Sequence, residues 1–293
     1  MGTMFFLQAF VDGILQGTIY SMIAIAFVLI YKCSKILNLA QGGLVLLGAY
    51  FSYSLMVQFH LPFWLSVILA IFFVSLVGLL FERFPLRPLI GQPILSIIMA
   101  TIGIDVLIRG VCILVWGTRG WRKYPKVFEI MPVKLFSLYL SRQHLYIFLC
   151  TIVLLGLLLI FFKKHRTGLV MRAVAEGHMV AQSMGIKVSS VIAIAWMVSG
   201  MISAVSGVFL GSIINVNVGL TEIALKALPA AIVGGLESIP GAVIGGLLIG
   251  VAGSISGTYV GHGISEIAPF VVMMLILIIK PQGLLGLEII ERV

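Results

Sequence analysis

The sequence predicts an all-α, polytopic membrane protein with about nine hydrophobic spans. Of its 293 residues, 61% are hydrophobic and 10% are charged, whereas a soluble domain is about 45–50% apolar and about 25% charged. The 32 glycines are typical of membrane helices, because small residues let neighbouring helices approach closely. A chain with so few polar residues cannot cover a water-exposed surface, so lipid must solvate much of it.

Candidate spans are stretches of about 20 apolar residues, taken here as parts of a single transmembrane domain over 1–293. They lie at 5–30, 36–58, 63–81, 94–116, 145–162, 189–212, 223–236, 241–257 and 264–280. The stretch 223–236 is too short to cross as a straight helix, so it is predicted to be a half-helix or a re-entrant element buried in protein. Glycine pairs four residues apart, among them Gly13–Gly17 and Gly246–Gly250, predict close helix packing.

Basic residues set the predicted orientation, because they collect in cytoplasmic loops. If the segment after the first span is cytoplasmic, eleven of the nineteen Lys and Arg residues fall on that side and six lie in the outer loop 117–143. The N-terminus is therefore expected outside and the C-terminus inside. Trp116, Trp121, Tyr124 and Tyr139 accompany the outer basic residues, either as an aromatic belt or as a docking surface. We attribute the net charge of +9 to basic residues in loops that face anionic membrane lipid, and we expect no nucleic-acid partner.

The inner connection 163–188 has an apolar periodicity of its own. Its apolar residues at 170, 171, 174, 180, 181 and 184 fit a short amphipathic helix that ends near a glycine. A solvated connector would not need such a face. The segment either lies on the membrane or packs into another protein, and the sequence leaves both interpretations open.

Sequence motifs of covalent chemistry are missing. The chain contains no G-x-x-x-x-G-K-[ST], no H-E-x-x-H and no G-x-S-x-G. Its five histidines show no ligand spacing, and its three cysteines form no C-x-x-C pair. We therefore expect no enzyme activity, no catalytic residue, no metal and no cofactor.

Polar side chains inside the spans are the candidate functional residues. Asp105 and Arg109 lie four residues apart, either as a self-neutralising pair that faces other helices or as part of a solute path. Glu222 and Lys226 have the same spacing. Asn38 and Gln41 open the second span. They would either hold an unwound turn that faces a solute or form an interhelical hydrogen bond. The predicted path comprises Asn38, Gln41, Asp105, Lys226 and Pro229.

Several stretches of the sequence resemble branched-chain amino acid ABC transporter permeases, and in particular the H-type Liv permease subunits. They are 17–25, 38–42 with 48–50, 82–83 with 87–88, 100–103, 172–176 with 184–186, 234–246 and 280–286, in the same order along almost the whole chain. The chain departs from the family pattern at Gln41, Gly177, Pro229 and Glu237. Related urea and amide permeases share the scaffold, so the resemblance leaves the solute open.

The resemblance implies a subunit of an ATP-driven importer in the bacterial inner membrane. The expected partners are a second permease in a heterodimer, two cytoplasmic ATPases that use the ATP, and a periplasmic solute-binding protein. The residues expected to couple to the ATPases are Arg172, Ala173, Ala175, Glu176, Met184, Gly185 and Ile186. Two alternatives are a urea or short-chain amide importer and, in another class, a stand-alone channel or ion-coupled carrier.

Overall fold

The computed structural model of the chain is almost entirely helical. It describes residues 2–89, 91–117, 121–125, 133–135 and 138–286. The α-helices are α1 (Gly2–Ser34), α2 (Gln41–Val57), α3 (Phe63–Phe81), α4 (Ile94–Trp116), α5 (Arg142–Lys164), α6 (Arg166–Glu176), α7 (His178–Ser183), α8 (Val188–Ile214), α9 (Leu220–Leu225), α10 (Ala227–Gly234), α11 (Ile239–Tyr259) and α12 (His262–Ile279). A short π-helix (Glu82–Leu86) and a short 3-10 helix (Arg87–Leu89) follow α3. Strands β1 (Val133–Leu135) and β2 (Leu138–Leu140) form one short antiparallel pair.

The predicted number of about nine spans is not confirmed. Within the described ranges, six helical stretches are long and apolar enough to cross a bilayer: Met4–Ser34, Phe63–Leu89, Ile94–Trp116, Arg142–Lys164, Val188–Ile214 and Ile239–Tyr259. Two further apolar helices, Gln41–Val57 and Gly263–Ile279, are shorter. The chain is therefore a multi-pass helical membrane protein.

The predicted span 223–236 is divided into α9 and α10. Pro229 explains the break, because proline lacks an N–H and its ring clashes with the carbonyl four residues earlier, here that of Leu225. Helix α9 ends at Leu225, and α10 begins at Ala227. Neither helix is long enough to span the hydrocarbon core.

The chain folds into two compact units, each built from segments that are distant in sequence. The first unit comprises 1–28, 128–151 and 226–293. In this unit α11 packs against α10 and α12. A side chain at Gly17 would meet the backbone of Leu247 at 2.8 Å, and one at Gly13 would meet the backbone of Val251 at 2.6 Å. These close approaches confirm the packing predicted from the glycine spacing.

The second unit comprises 29–127 and 152–225, and α8 lies at its centre. Helix α8 packs against both α2 and α3. Gly48 of α2 faces the backbone of Ala204, and Gly78 of α3 faces the carbonyl of Trp196. Gly207 of α8 lies against the carbonyl of Val45. The absence of side chains at these crossings lets the helices approach closely enough to hold the polar groups described next.

Candidate solute path and coupling surface

A non-helical segment at 35–40 separates α1 from α2 and carries Asn38. The Asn38 side-chain oxygen accepts a hydrogen bond from the Ala40 N–H at 3.0 Å. The Leu39 N–H donates to the Thr101 hydroxyl of α4 at 3.3 Å. Asn38 thus holds a turn of the kind that asparagine favours, because its amide oxygen satisfies a backbone donor two residues on.

Gln41 connects this turn to α8. Its amide oxygen accepts from the Asn38 amide at 3.1 Å and from the Ser199 hydroxyl at 3.1 Å. Its amide nitrogen donates to the Ser203 hydroxyl, which in turn donates to the Ser199 carbonyl at 2.7 Å. Asn38, Gln41, Ser199 and Ser203 are all fully buried. We call these four residues the polar cluster.

The side chains of the polar cluster are hydrogen-bonded to one another, and these bonds connect α2 to α8. Both the turn and the interhelical bond proposed for Asn38 and Gln41 are present. A solute would contact these groups only after α2 and α8 had moved apart. Sequence reasoning missed Ser199 and Ser203, although their spacing of four residues places them on one face of the predicted span.

Asp105 lies at the centre of α4, eleven residues from Ile94 and eleven from Trp116. It forms an ion pair with Arg109, one turn further along the helix. The Asp105 side chain is buried, at 4% exposure, whereas that of Arg109 is 35% exposed. The close approach of Gly43 to the carboxylate leaves no room for a side chain there. The predicted pair is present, and Arg109 is the member of the pair that reaches the surface of the chain.

Lys226 has a different partner from the one its spacing suggested. Its ammonium lies 2.6 Å from the Glu266 carboxylate of α12, while Glu222 is exposed. The break before α10 removes the continuous helix that would have placed Glu222 and Lys226 one turn apart. Pro229 is buried within α10. Both Lys226 and Pro229 belong to the first unit, and the polar cluster and Asp105 belong to the second.

The inner connection forms two helices, α6 and α7, rather than the single helix that was predicted. Gly177 interrupts them with an extended backbone. Gly185 then takes a left-handed conformation, with φ +80°, which glycine adopts without steric cost. This turn joins α7 to α8 by way of Ile186 and Lys187.

The apolar residues of α6, α7 and the turn after them include one buried set and one exposed set. Met171, Val174 and Ala181 are buried against the chain itself. The other set is exposed: Leu169 at 59%, Met179 at 84%, Val180 at 66% and Met184 at 75%. We call this exposed set the inner apolar surface. Of the residues predicted to couple, Glu176, Met184 and Gly185 are exposed and Arg172, Ala173, Ala175 and Ile186 are half-buried.

The aromatic residues of the outer loop do not share one environment. Trp121 is exposed, at 69%, but Tyr124 is buried, at 4%. The Tyr124 hydroxyl donates to Ser52 of α2 at 3.0 Å, and burial raises the pKa of Tyr124 to about 12. Tyr124 therefore anchors the loop to the second unit rather than lying in a surface belt. Arg119, Lys126 and the side chain of Tyr139 lie outside the described residues.

A family model described as "Branched-chain amino acid transport system / permease component" matches residues 9–279. The chain belongs to this family. It is 30% identical over 99% of its length to the LivH permease proteins of the high-affinity branched-chain amino acid transport systems of Salmonella typhimurium and Escherichia coli, and covers 98% of each. It is 28% identical to the corresponding protein BraD of Pseudomonas aeruginosa, over 98% of both chains.

The fold of this permease is also similar to a solved structure, PsaBC from Streptococcus pneumoniae in complex with Fab. The TM-score is 0.50 at 14% identity, covering 94% of this chain and 92% of that one. At this identity the similarity concerns the fold alone. Family membership confirms the resemblance seen in the sequence, and it identifies the chain as a transport permease component.

Proposed function

We propose that this permease forms, together with a second permease subunit, the membrane path of an ATP-driven importer for branched-chain or other apolar amino acids. Two cytoplasmic ATPases supply the energy, and a periplasmic binding protein delivers the solute. The LivH and BraD relatives are named for branched-chain amino acid transport, which supports this solute class. The protein lies in the bacterial inner membrane with its N-terminus outside and its C-terminus in the cytoplasm, as the distribution of basic residues indicates.

The observation that carries the proposal is the inner apolar surface. Four large apolar side chains stand exposed on α6, α7 and the turn after them, among the basic residues Lys163, Lys164, Arg166 and Lys187 that indicate the cytoplasm. A partner that receives such a short helix in a groove would bury these side chains. A chain without a phosphate-binding loop needs such a partner to use ATP.

Movement at this surface has a direct route to the polar cluster. The turn at 184–187 joins α7 to α8, and α8 carries Ser199 and Ser203. A push on α6 and α7 by the ATPases would displace α8 relative to α2. The hydrogen bonds of Gln41 would then break and re-form, which fits a switch between two discrete helix arrangements.

The test is uptake of radiolabelled leucine by proteoliposomes that contain the permease with its companion subunits. We expect ATP-dependent leucine accumulation that exceeds urea accumulation. Met184→Asp should reduce both leucine uptake and permease-stimulated ATP hydrolysis, because it puts a charge into an apolar contact. Met184→Leu keeps the contact apolar and is the matched control.

Three outcomes would count against the proposal. Leucine flux through the permease alone, without ATPases, would favour a channel or an ion-coupled carrier. Urea accumulation in place of leucine would favour the amide importer. Unchanged ATPase stimulation in Met184→Asp would remove the inner apolar surface from coupling.

A further inference from the structure

Arg109 presents a positive charge at the middle of a membrane span. Side chains on a helix point toward its N-terminus, so the Arg109 guanidinium reaches back to Asp105 at the centre of α4. That centre is about 16 Å from either end of the helix at 1.5 Å per residue. The guanidinium is thus near the mid-depth of the span, with 35% of the side chain exposed.

Hydrocarbon is a poor environment for this exposed cation. Charged side chains within spans face the protein interior or a water-filled cavity, because contact with lipid is costly. Asp105 is the partner of Arg109 among the residues that the structure describes. A guanidinium has five N–H donors, and a single carboxylate engages at most two of them in a bidentate pair. Arg109 therefore retains donors for another acceptor on its exposed side.

The neighbours of Arg109 on the same flank of α4 are branched aliphatic residues. Ile102 and Val106, seven and three residues earlier, are 37% and 57% exposed, and Ile113, four residues later, is half-buried. Residues at this spacing lie on one face of a helix. We call Ile102, Val106, Arg109 and Ile113 the arginine flank. It combines one cation with an aliphatic wall.

We propose that the arginine flank lines the solute path and that Arg109 binds the carboxylate of the transported amino acid. The branched aliphatic residues face the apolar side chain of the solute. Asp105 positions the guanidinium, so it acts on the solute through Arg109. This inference rests on the proposed function, and it names the group in the membrane that recognises the solute.

The two glycines of α4 lie beside the arginine flank and do not pack against another helix in the described part of the chain. Where α2 crosses α8, Gly48 and Gly207 lie against neighbouring backbone. Gly103 and Gly110 of α4 have open space around them. They lie with Leu107 and Leu114 on the side away from the core, where Leu114 is 86% exposed. The arginine flank has no small residue that would admit another helix as closely.

Thiol labelling tests this assignment in the complete importer. Single cysteines replace Ile102 or Val106 on the flank, and Leu107 or Leu114 on the other face, in a Cys150→Ser background because Cys150 is the exposed native thiol. A charged, membrane-impermeant methanethiosulfonate should label Ile102→Cys and Val106→Cys but not the two controls. Leucine, delivered by the binding protein during ATP turnover, should slow the labelling of both flank cysteines.

Arg109→Gln supplies a second measurement with Arg109→Lys as its conservative control. Losing a charge-assisted contact to the carboxylate should lower leucine uptake about tenfold or more, while the lysine variant should retain part of it. Val106→Cys keeps Arg109 and Asp105 intact, so its labelling remains informative if Arg109→Gln does not fold.

The outcomes separate this inference from the proposed function. Unlabelled flank cysteines in an importer that still accumulates leucine would refute the inference alone and indicate that a second subunit covers the flank. Equal labelling of flank and control cysteines would also refute it. Labelled flank cysteines without leucine uptake or leucine protection would instead refute the proposed solute.

Discussion

Replacing Gln41 by leucine tests whether the polar cluster holds α2 against α8. Leucine has a volume close to that of glutamine, so the substitution removes hydrogen-bonding atoms and leaves little cavity. The Asn38 amide loses its acceptor, and the Ser203 hydroxyl loses its donor. Ser199 also loses its acceptor. All of these atoms are in a part of the protein that water does not reach.

The size of the effect follows from which groups are left unpaired. Interhelical hydrogen bonds in membrane proteins average about 0.6 kcal/mol. A buried donor without an acceptor costs about 1–3 kcal/mol, so the stranded Asn38 amide decides the result. The serine hydroxyls can turn toward carbonyls of their own helix and contribute less. We expect Gln41→Leu to lower the stability by about 1–3 kcal/mol, or about 2–4 °C in Tm for each kcal/mol.

The assay is thermal unfolding of the purified permease in detergent, followed by tryptophan fluorescence. Gln58→Leu is the matched control, because Gln58 lies just past the other end of the same helix and is exposed. Exposed substitutions usually change stability by less than about 0.5 kcal/mol. Equal midpoints for the two variants would refute the role given to the polar cluster, as would a higher midpoint for Gln41→Leu.

Two further experiments test the close helix packing and the ion pair of Lys226. Gly207→Ala should destabilise the protein by about 1–3 kcal/mol because a methyl group there overlaps the α2 backbone. Gly103→Ala meets open space, so it should be neutral or raise the stability by up to about 1 kcal/mol. A higher thermal-unfolding midpoint for Gly207→Ala than for Gly103→Ala would contradict the helix crossing. A double-mutant cycle with Lys226→Met and Glu266→Gln should give a coupling below about 1 kcal/mol that falls in high salt, because Glu266 is 54% exposed. A larger, salt-independent coupling would show that the pair is buried in the assembled importer.

The sequence was most reliable where apolar stretches were long. The predicted spans 63–81 and 94–116 coincide with α3 and α4, since an uninterrupted apolar run of that length has no other way to satisfy its backbone in lipid. The stretch 223–236 was predicted to be a half-helix or a re-entrant element, and the structure has two short helices there because Pro229 prevents one continuous helix. Hydropathy measures how strongly a residue favours an apolar environment. It does not show whether the helix continues, which at Pro229 is decided by the ring and the missing N–H.

The sequence identified most of the candidate residues, but it did not identify the residues that they contact. A charge inside a span is conspicuous in a sequence, so Asp105 and Lys226 were found. The partner of Lys226 is Glu266, forty residues further along the chain, and no local spacing predicts such a pair. Gln41 was found by its position at the start of a span, whereas Ser199 and Ser203 resembled the small residues common in any membrane helix.

The sequence by itself showed that lipid solvates this protein and that the chain is helical, because the composition and the length of each apolar stretch set the free energy of placing it in lipid. The order of its motifs indicated the family. Only the tertiary structure decided which polar groups meet, which face of α4 carries an exposed charge, and that the apolar residues of α6, α7 and the turn after them include a buried and an exposed set. Those outcomes depend on contacts between residues far apart in the chain. Such contacts form only where helices cross closely, and glycines at the crossings allow that close approach.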